Sequence, residues 1–500
     1  MGTPWLHETQ TWRGLWWLPE DPTNRHAGFL TYDPASGLEL VLVGGFDAQV
    51  REQIGPGAWT VLAETKDFPV VYGRAGNRDI TLFGAYSANS LTYNLGFFDG
   101  GPSEQTLKAQ TALVGVHAGS TDEALFDHAN CVIEDIWLWS ATSALEAKWG
   151  WDKESERPSG EATIEMSPVD DQTAKVPGAT ITLAHWLTLP TFDTMRGGSR
   201  ARVEHKPVLS VRTDKRASFA SLMVYVATLQ DLLSLATGRG PALLWMKVYL
   251  PRPNPSEEAS PSNMGREVDV YTRSRGEGDP SAKAVDAHTM VFTLDDLAFA
   301  QAVPRWWEVH ERFWASCNMI VGGRYVADHY IETMLIVAVA AAESFHRDLK
   351  EKSAATREHN LQRLRPALDA LGEADRKWLE SFVPSGFSLG QRLERLAERL
   401  PVSCRDRILP NPSAWAVAAK RARHNLSHSG RSSEDAIKLY ATVRVTRAVV
   451  LLNILLEMGL SEERLLKALN DNGELSHACI LAATHFPTAP GKASGTQPVE

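Results

Sequence analysis

The stretch RARHNLSHSG at 421–430 holds two arginines, two histidines and an asparagine directly ahead of a glycine. These are the side chains that cutting RNA without a metal requires. A base must take the 2′-hydroxyl proton, an acid must protonate the 5′-oxygen, and a fixed cation must face the phosphorane charge. Histidine as a residue type titrates near neutrality, so His428 can serve as base or acid. Arg423 stays charged and offers a planar fork to phosphate oxygens. His424 follows it as a polar neighbour, Asn425 either contacts phosphate or caps a fraying turn, and Arg421 is a solvated or RNA-facing charge outside the chemistry.

The spacing alone does not select this pair. R-x4-H occurs four times, at Arg200/His205, Arg305/His310, Arg324/His329 and Arg423/His428. Context separates them: Arg423 is followed by polar His424, the others by Ala201, Trp306 and Tyr325. Only the last pair stands at the end of a capped helix, with Asn411 as N-cap, Pro412 at the first helical position and Gly430 beyond the end. On an ideal helix, five residues place two side chains about 140° apart. Convergence of Arg423 and His428 therefore calls for the last turn to unwind around Ser427–Gly430. One imidazole cannot easily be base and acid together, so a symmetric homodimer that joins two such helix ends in one groove is expected.

The charge distribution agrees with a polyanionic partner. The chain is acidic, with a net charge of −10. Residues 301–490 carry 25 Lys and Arg against 22 Asp and Glu, which leaves 26 against 39 in the rest. Within 404–447 the count is nine basic to three acidic. A local basic patch on an acidic protein suits RNA binding and argues against coating nucleic acid everywhere.

The elements that must position these groups divide the chain in two. From residue 27 to about 140, short β-type runs such as AGFLTY, LELVLVGGF, FPVVYG and DITLFGAY recur between turn signals, as a sandwich or barrel requires. Further strands are predicted in 179–189, 201–211 and 242–250, around one helix over 218–238 that Gly238 closes. The segment 251–267 is dense in Pro, Ser, Asn and Glu and reads as a linker-like loop. After about residue 300 the pattern turns helical. Predicted helices open at Pro304, run over 328–350, 356–371, 373–383 and 388–400, continue through the motif, and end with a helix that Ser433 caps and Gly459 closes. The expected fold class is α+β and multidomain: a β-rich N-terminal domain over 1–300, an all-α bundle over 301–484, and a disordered tail over 485–500.

A length of 500 residues and 43% hydrophobic content fit two or three soluble domains. The four cysteines lie far apart, with no CxxC pair, which fits a reducing compartment. The N-terminus lacks a signal-peptide pattern and the longest apolar runs, such as 334–342, are too short to span a bilayer, so a cytoplasmic protein without membrane contact is expected. No phosphate loop, G-x-S-x-G elbow or HExxH is present, and no metal or cofactor is expected. Glu343 can tune a histidine or pair with an arginine, and with His346 it makes a single E-x-x-H without a second copy. Trp16, Trp17, Trp137 and Trp139 could line a ligand groove, but core packing is the better reading.

The segment from about 305 to 480, with the apolar helix ending AAAESFHR and the later RARHNLSH, resembles the HEPN domain of the ApeA family of bacterial anti-phage proteins. The strand-rich first 300 residues, opening WRGLWWLPED, look like the N-terminal domain that precedes it. The resemblance implies a HEPN helical bundle of four to five helices, dimerisation through it, and metal-independent endoribonuclease activity in abortive infection. It also implies RNA, and by extension tRNA, as substrate, and an N-terminal domain that senses a phage-derived trigger or restrains the nuclease. Arg423 and His428 take the family's catalytic positions. Two alternatives stand beside it: a HEPN-like bundle that binds nucleotide or RNA without cutting it, and a β-sandwich that binds carbohydrate.

Overall fold

The computed structural model describes residues 5–55, 58–91, 102–152, 157–253, 265–276, 278–279, 281, 285–326, 330–350, 357–383, 386–429 and 435–488. Most of the expected linker, the end of the expected tail, His329, Gly430 and Ser433 lie outside the described residues. The chain divides into two compact units, the first of Met1–Leu233, Pro241–Ala284 and Phe299–Val303, the second of Ser234–Gly240, Val285–Ala298 and Pro304–Glu500.

The first unit is built on β1 (Gln10–Leu18), β2 (Asp21–Asp33), β3 (Gly37–Val43), β4 (Gln49–Gly55), β5 (Ala58–Thr65), β6 (Asp67–Ala75), β7 (Arg78–Leu91), β8 (Glu104–Ala109), β9 (Thr111–Val114) and β10 (Phe126–Ile133). After α1 (Ile136–Ser140) come β11 (Leu145–Asp152), β12 (Arg157–Met166), β13 (Gln172–Val176), β14 (Ala179–Met195) and β15 (Gly198–Ala217). The helix α2 (Phe219–Thr237), β16 (Leu243–Tyr249) and β17 (Glu267–Thr272) complete the set. Strands β7, β6, β1, β2, β3 and β8 pair in that order, and β8 returns to β7, closing a six-stranded barrel. Closure depends on the length of β7: its first half pairs with β9 and its second half, from Tyr86 to Leu91, with β8. From β9 the sheet runs on through β17, β16, β10, β15, β14 and β13.

Alternation dictates what fills the barrel. Trp16, Leu30, Leu40, Leu42, Val71 and Leu82 are fully buried or nearly so. Gly73 is required beside Trp16, because a β-carbon there would stand 2.2 Å from the indole ring. Trp17 and Trp139 are buried as core packing predicts, whereas Trp137 is 46% exposed and corrects the expectation for that residue.

A histidine pair ties β14 to β15. The Ala144 amide donates to His205 Nδ1 at 3.3 Å, so that nitrogen carries no proton, and His205 Nε2 stands 3.0 Å from His185 Nδ1. The chain of bonds exists only with both rings neutral. Burial lowers the pKa of both, as it does for His26 and His128, from a usual value of 6.5. The unfolded chain therefore takes up protons that the native one refuses, and stability present above pH 6.5 is lost as the pH falls below it. The expected result is a melting midpoint that drops between pH 7.5 and pH 5.5, with a shallower drop for His205→Gln, which keeps an acceptor and a donor. An identical slope for both proteins would contradict this.

The second unit is helical: α3 (Phe299–Arg312), α4 (Trp314–Gly322), α5 (Ile331–Asp348), α6 (Arg357–Leu368), α7 (Glu373–Ser381), α8 (Leu389–Glu398), α9 (Val402–Ile408), α10 (Pro412–Ser429), α11 (Ala436–Glu457), α12 (Glu462–Asp471) and α13 (Gly473–His485). The single helix expected to open at Pro304 is instead two. Phe313, at φ −112° and ψ 33°, breaks it, and α3 begins five residues before Pro304. Asp435 caps α11, through a bond from the Ile437 amide, where Ser433 was expected.

Both α2 and α11 are long and apolar enough to cross a membrane, contrary to the expectation from apolar runs, but 67% and 83% of their apolar windows are buried inside the fold. They are core helices. Along α11, Asn453 donates to the Leu396 carbonyl of α8 and accepts from Arg399, while Arg447 donates to the Ile320 carbonyl near the end of α4. Arg324 is held by the Ser234 carbonyl and Glu474. These charges sit against helix C-terminal carbonyls, where a cation is stabilised.

Candidate active site

Helix α10 carries the motif, and its composition explains its seat. Asn411 caps it by accepting from the Ala414 amide at 3.0 Å, and Pro412 opens it. Trp415, Ala416, Ala419, Ala422 and Leu426 form its buried face. Trp415 also donates through Nε1 to Thr446 on α11 at 3.0 Å. The opposite face is exposed and bears Val417, Arg421, His424 and His428 at steps of four, three and four residues, one stripe of a regular helix.

The last turn does not unwind. Residues 427–429 are helical, and Leu426, 7% exposed, anchors that turn from beneath. Arg423 and His428 thus keep an angular separation of about 140°. Asn425 lies inside the helix, half-buried, and does not cap a frayed end.

Two pairs replace the expected one. The rings of His424 and His428 stand 4.4 Å apart between centroids, so the end of α10 presents two imidazoles together. Arg423 turns toward α5, where its guanidinium is 3.9 Å from Glu343. Glu343 is also 3.8 Å from Arg347, one turn on. Its carboxylate faces two guanidiniums. His346 is buried and meets Phe387 edge to face, with centroids 5.0 Å apart. Among the described residues no group of three or more His, Cys, Asp or Glu is placed to hold a metal ion.

The histidine pair follows from i, i+4 spacing and was legible once the helix was taken to continue through Ser429. The Glu343–Arg347 pair carries the same signal. A pair of this kind contributes up to about 1 kcal/mol, so Glu343→Gln is expected to lower the stability of the helical unit by no more than that in denaturant unfolding. A loss of about 3 kcal/mol or more would instead mark a buried ion pair.

Three residues of the other R-x4-H pairs are engaged elsewhere. Arg305 Nε donates to the Glu457 carbonyl at 2.6 Å, Arg324 is held as described, and His205 belongs to the histidine pair of the first unit.

Comparison with known families matches both halves of the chain. The model described as ApeA N-terminal domain 1 covers residues 11–306, and the model described as Apea-like HEPN covers residues 336–464. The second span contains Glu343, Arg421, Arg423, His424, Asn425 and His428. No curated protein and no solved structure matches the chain.

Proposed function

This chain belongs to the ApeA family and carries the HEPN-type domain of an anti-phage effector, and from that premise we propose that it is a metal-independent endoribonuclease whose chemistry is done by Arg423 and His428. The observation that carries this reading is the exposed pair of imidazoles at the end of α10, with a guanidinium on the same helix. His428 takes the 2′-hydroxyl proton as the oxygen attacks the adjacent phosphorus. The second imidazole of the pair, His424, returns a proton to the departing 5′-oxygen, and Arg423 binds the phosphorane oxygens. The products are a 2′,3′-cyclic phosphate and a 5′-hydroxyl.

Because α10 stays helical, Arg423 and His428 of one subunit diverge, and the phosphate is gripped by Arg423 of one copy and His428 of another. Val417 and the stripe beyond it supply the face on which two copies meet. RNA, with tRNA foremost, is the substrate, and Arg421 meets its backbone. The N-terminal unit senses a phage-derived trigger and restrains cleavage.

Labelled RNA treated with the purified chain is expected to yield cyclic-phosphate ends. RNA retention with no products would instead favour a binding module. Mixing Arg423→Ala and His428→Ala subunits is expected to restore activity, since half the dimers then hold one complete shared site, or about a quarter of wild-type sites. No recovery after subunit exchange would place the whole site within one copy.

A further inference from the structure

The first unit holds a cavity of about 690 Å3 beside the barrel, between β1, the turn before β7, the end of β9, β16 and β17. Its size is that of a small-molecule site. Trp12 enters from β1 and meets Tyr271 of β17 edge to face at 4.7 Å. Nothing in the nuclease reading uses this cavity.

Its chemistry narrows the occupant. Arg78 is paired with Asp269 at 3.2 Å, and Lys247 with Glu267 and, at 3.6 Å, with Asp269. The wall thus neutralises most of its own charge, and Glu8 and Asp79 add carboxylates at the rim. A phosphate-bearing ligand finds Arg266 as the one lining cation, among the described residues, without a carboxylate partner. An extended peptide finds no backbone partner on β9 or β17, which are hydrogen-bonded on both sides. What the wall does offer is an aromatic surface flanked by planar hydrogen-bonding groups. Gln10, Asn77 and Arg266 line the cavity, and their side chains make no hydrogen bond to another described residue. The part-exposed ring of Trp12, backed by Tyr271 at 2% exposure, stands beside carboxamides, carboxylates and guanidinium and suits an uncharged ligand with an apolar ring face and vicinal hydroxyls.

We propose that this cavity of the N-terminal unit binds a saccharide, with Trp12 against a sugar ring and Gln10, Asn77 and Arg266 on its hydroxyls. The site stands or falls separately from the nuclease.

The full-length chain is applied to a printed array of bacterial and plant oligosaccharides, and the strongest oligosaccharide retained is then titrated calorimetrically. The expected result is specific retention, with affinity reduced at least tenfold in both Asn77→Ala and Arg266→Ala. These positions are exposed, so melting temperatures should match the wild type. Retention of no oligosaccharide, or retention that neither variant weakens, overturns the proposal. So does tighter binding of ATP or of an uncharged pentapeptide library that the same variants abolish.

Discussion

Replacing His428 by alanine is expected to lower RNA cleavage by about 10²–10⁴-fold, the range for removing a positioned proton-transfer group. The side chain is exposed, so the melting temperature should hold. Arg423→Ala removes the charge that meets the phosphorane and is expected to cost about 10²–10³-fold, as for loss of one oxyanion-binding donor. The two variants differ in what they leave. His428→Ala still carries the arginine and should retain RNA, whereas Arg423→Ala should lose part of its affinity as well. A His428→Ala protein that cuts at the wild-type rate would remove the imidazole from the mechanism.

The second large effect is on stability. Trp415 is fully buried on α10 and its indole donates to Thr446 of α11. Trp415→Ala is expected to destabilise the helical unit by about 3–5 kcal/mol, the usual range for emptying a buried tryptophan site. Thr446 Oγ1 also loses its donor, although it keeps its own bond to the Thr442 carbonyl. Because α10 bears the motif, activity should fall with the folded fraction and return at lower temperature, unlike the loss in His428→Ala. Denaturant unfolding followed at two temperatures separates these cases. A loss below 1 kcal/mol would mean that α10 is held by something other than this tryptophan.

Much of the architecture was legible because it depends on local periodicity. The Asn411–Pro412 start of α10, the α2 helix closed by Gly238 at φ +80°, and the end of α11 at Gly459, φ +88°, each rest on a few adjacent residues. The closed barrel was not legible in detail. Its last seam joins β8 to both β3 and β7, and alternation along a strand shows which face is buried without naming the partner.

The misreadings of the site have the same origin. Ser427, His428 and Ser429 are weak helix formers, and the sequence invites an unwound end. Burial of Ala422 and Leu426 on the underside overrides that preference. Two consequences follow from a helix that continues: His424 and His428 come together, and Arg423 and His428 part. The break between α3 and α4 at Phe313 was hidden for a related reason, since the aromatic ring is fully buried and packs on Phe345 at 4.2 Å while its backbone leaves the helix.

The most direct measurement is cleavage of end-labelled RNA by the purified full-length chain in EDTA, with wild type, Arg423→Ala and His428→Ala run side by side. The account predicts products ending in cyclic phosphate for the wild type, undiminished by the chelator, and their loss in both variants. Products that vanish with the chelator, or persist unchanged in both variants, would contradict it.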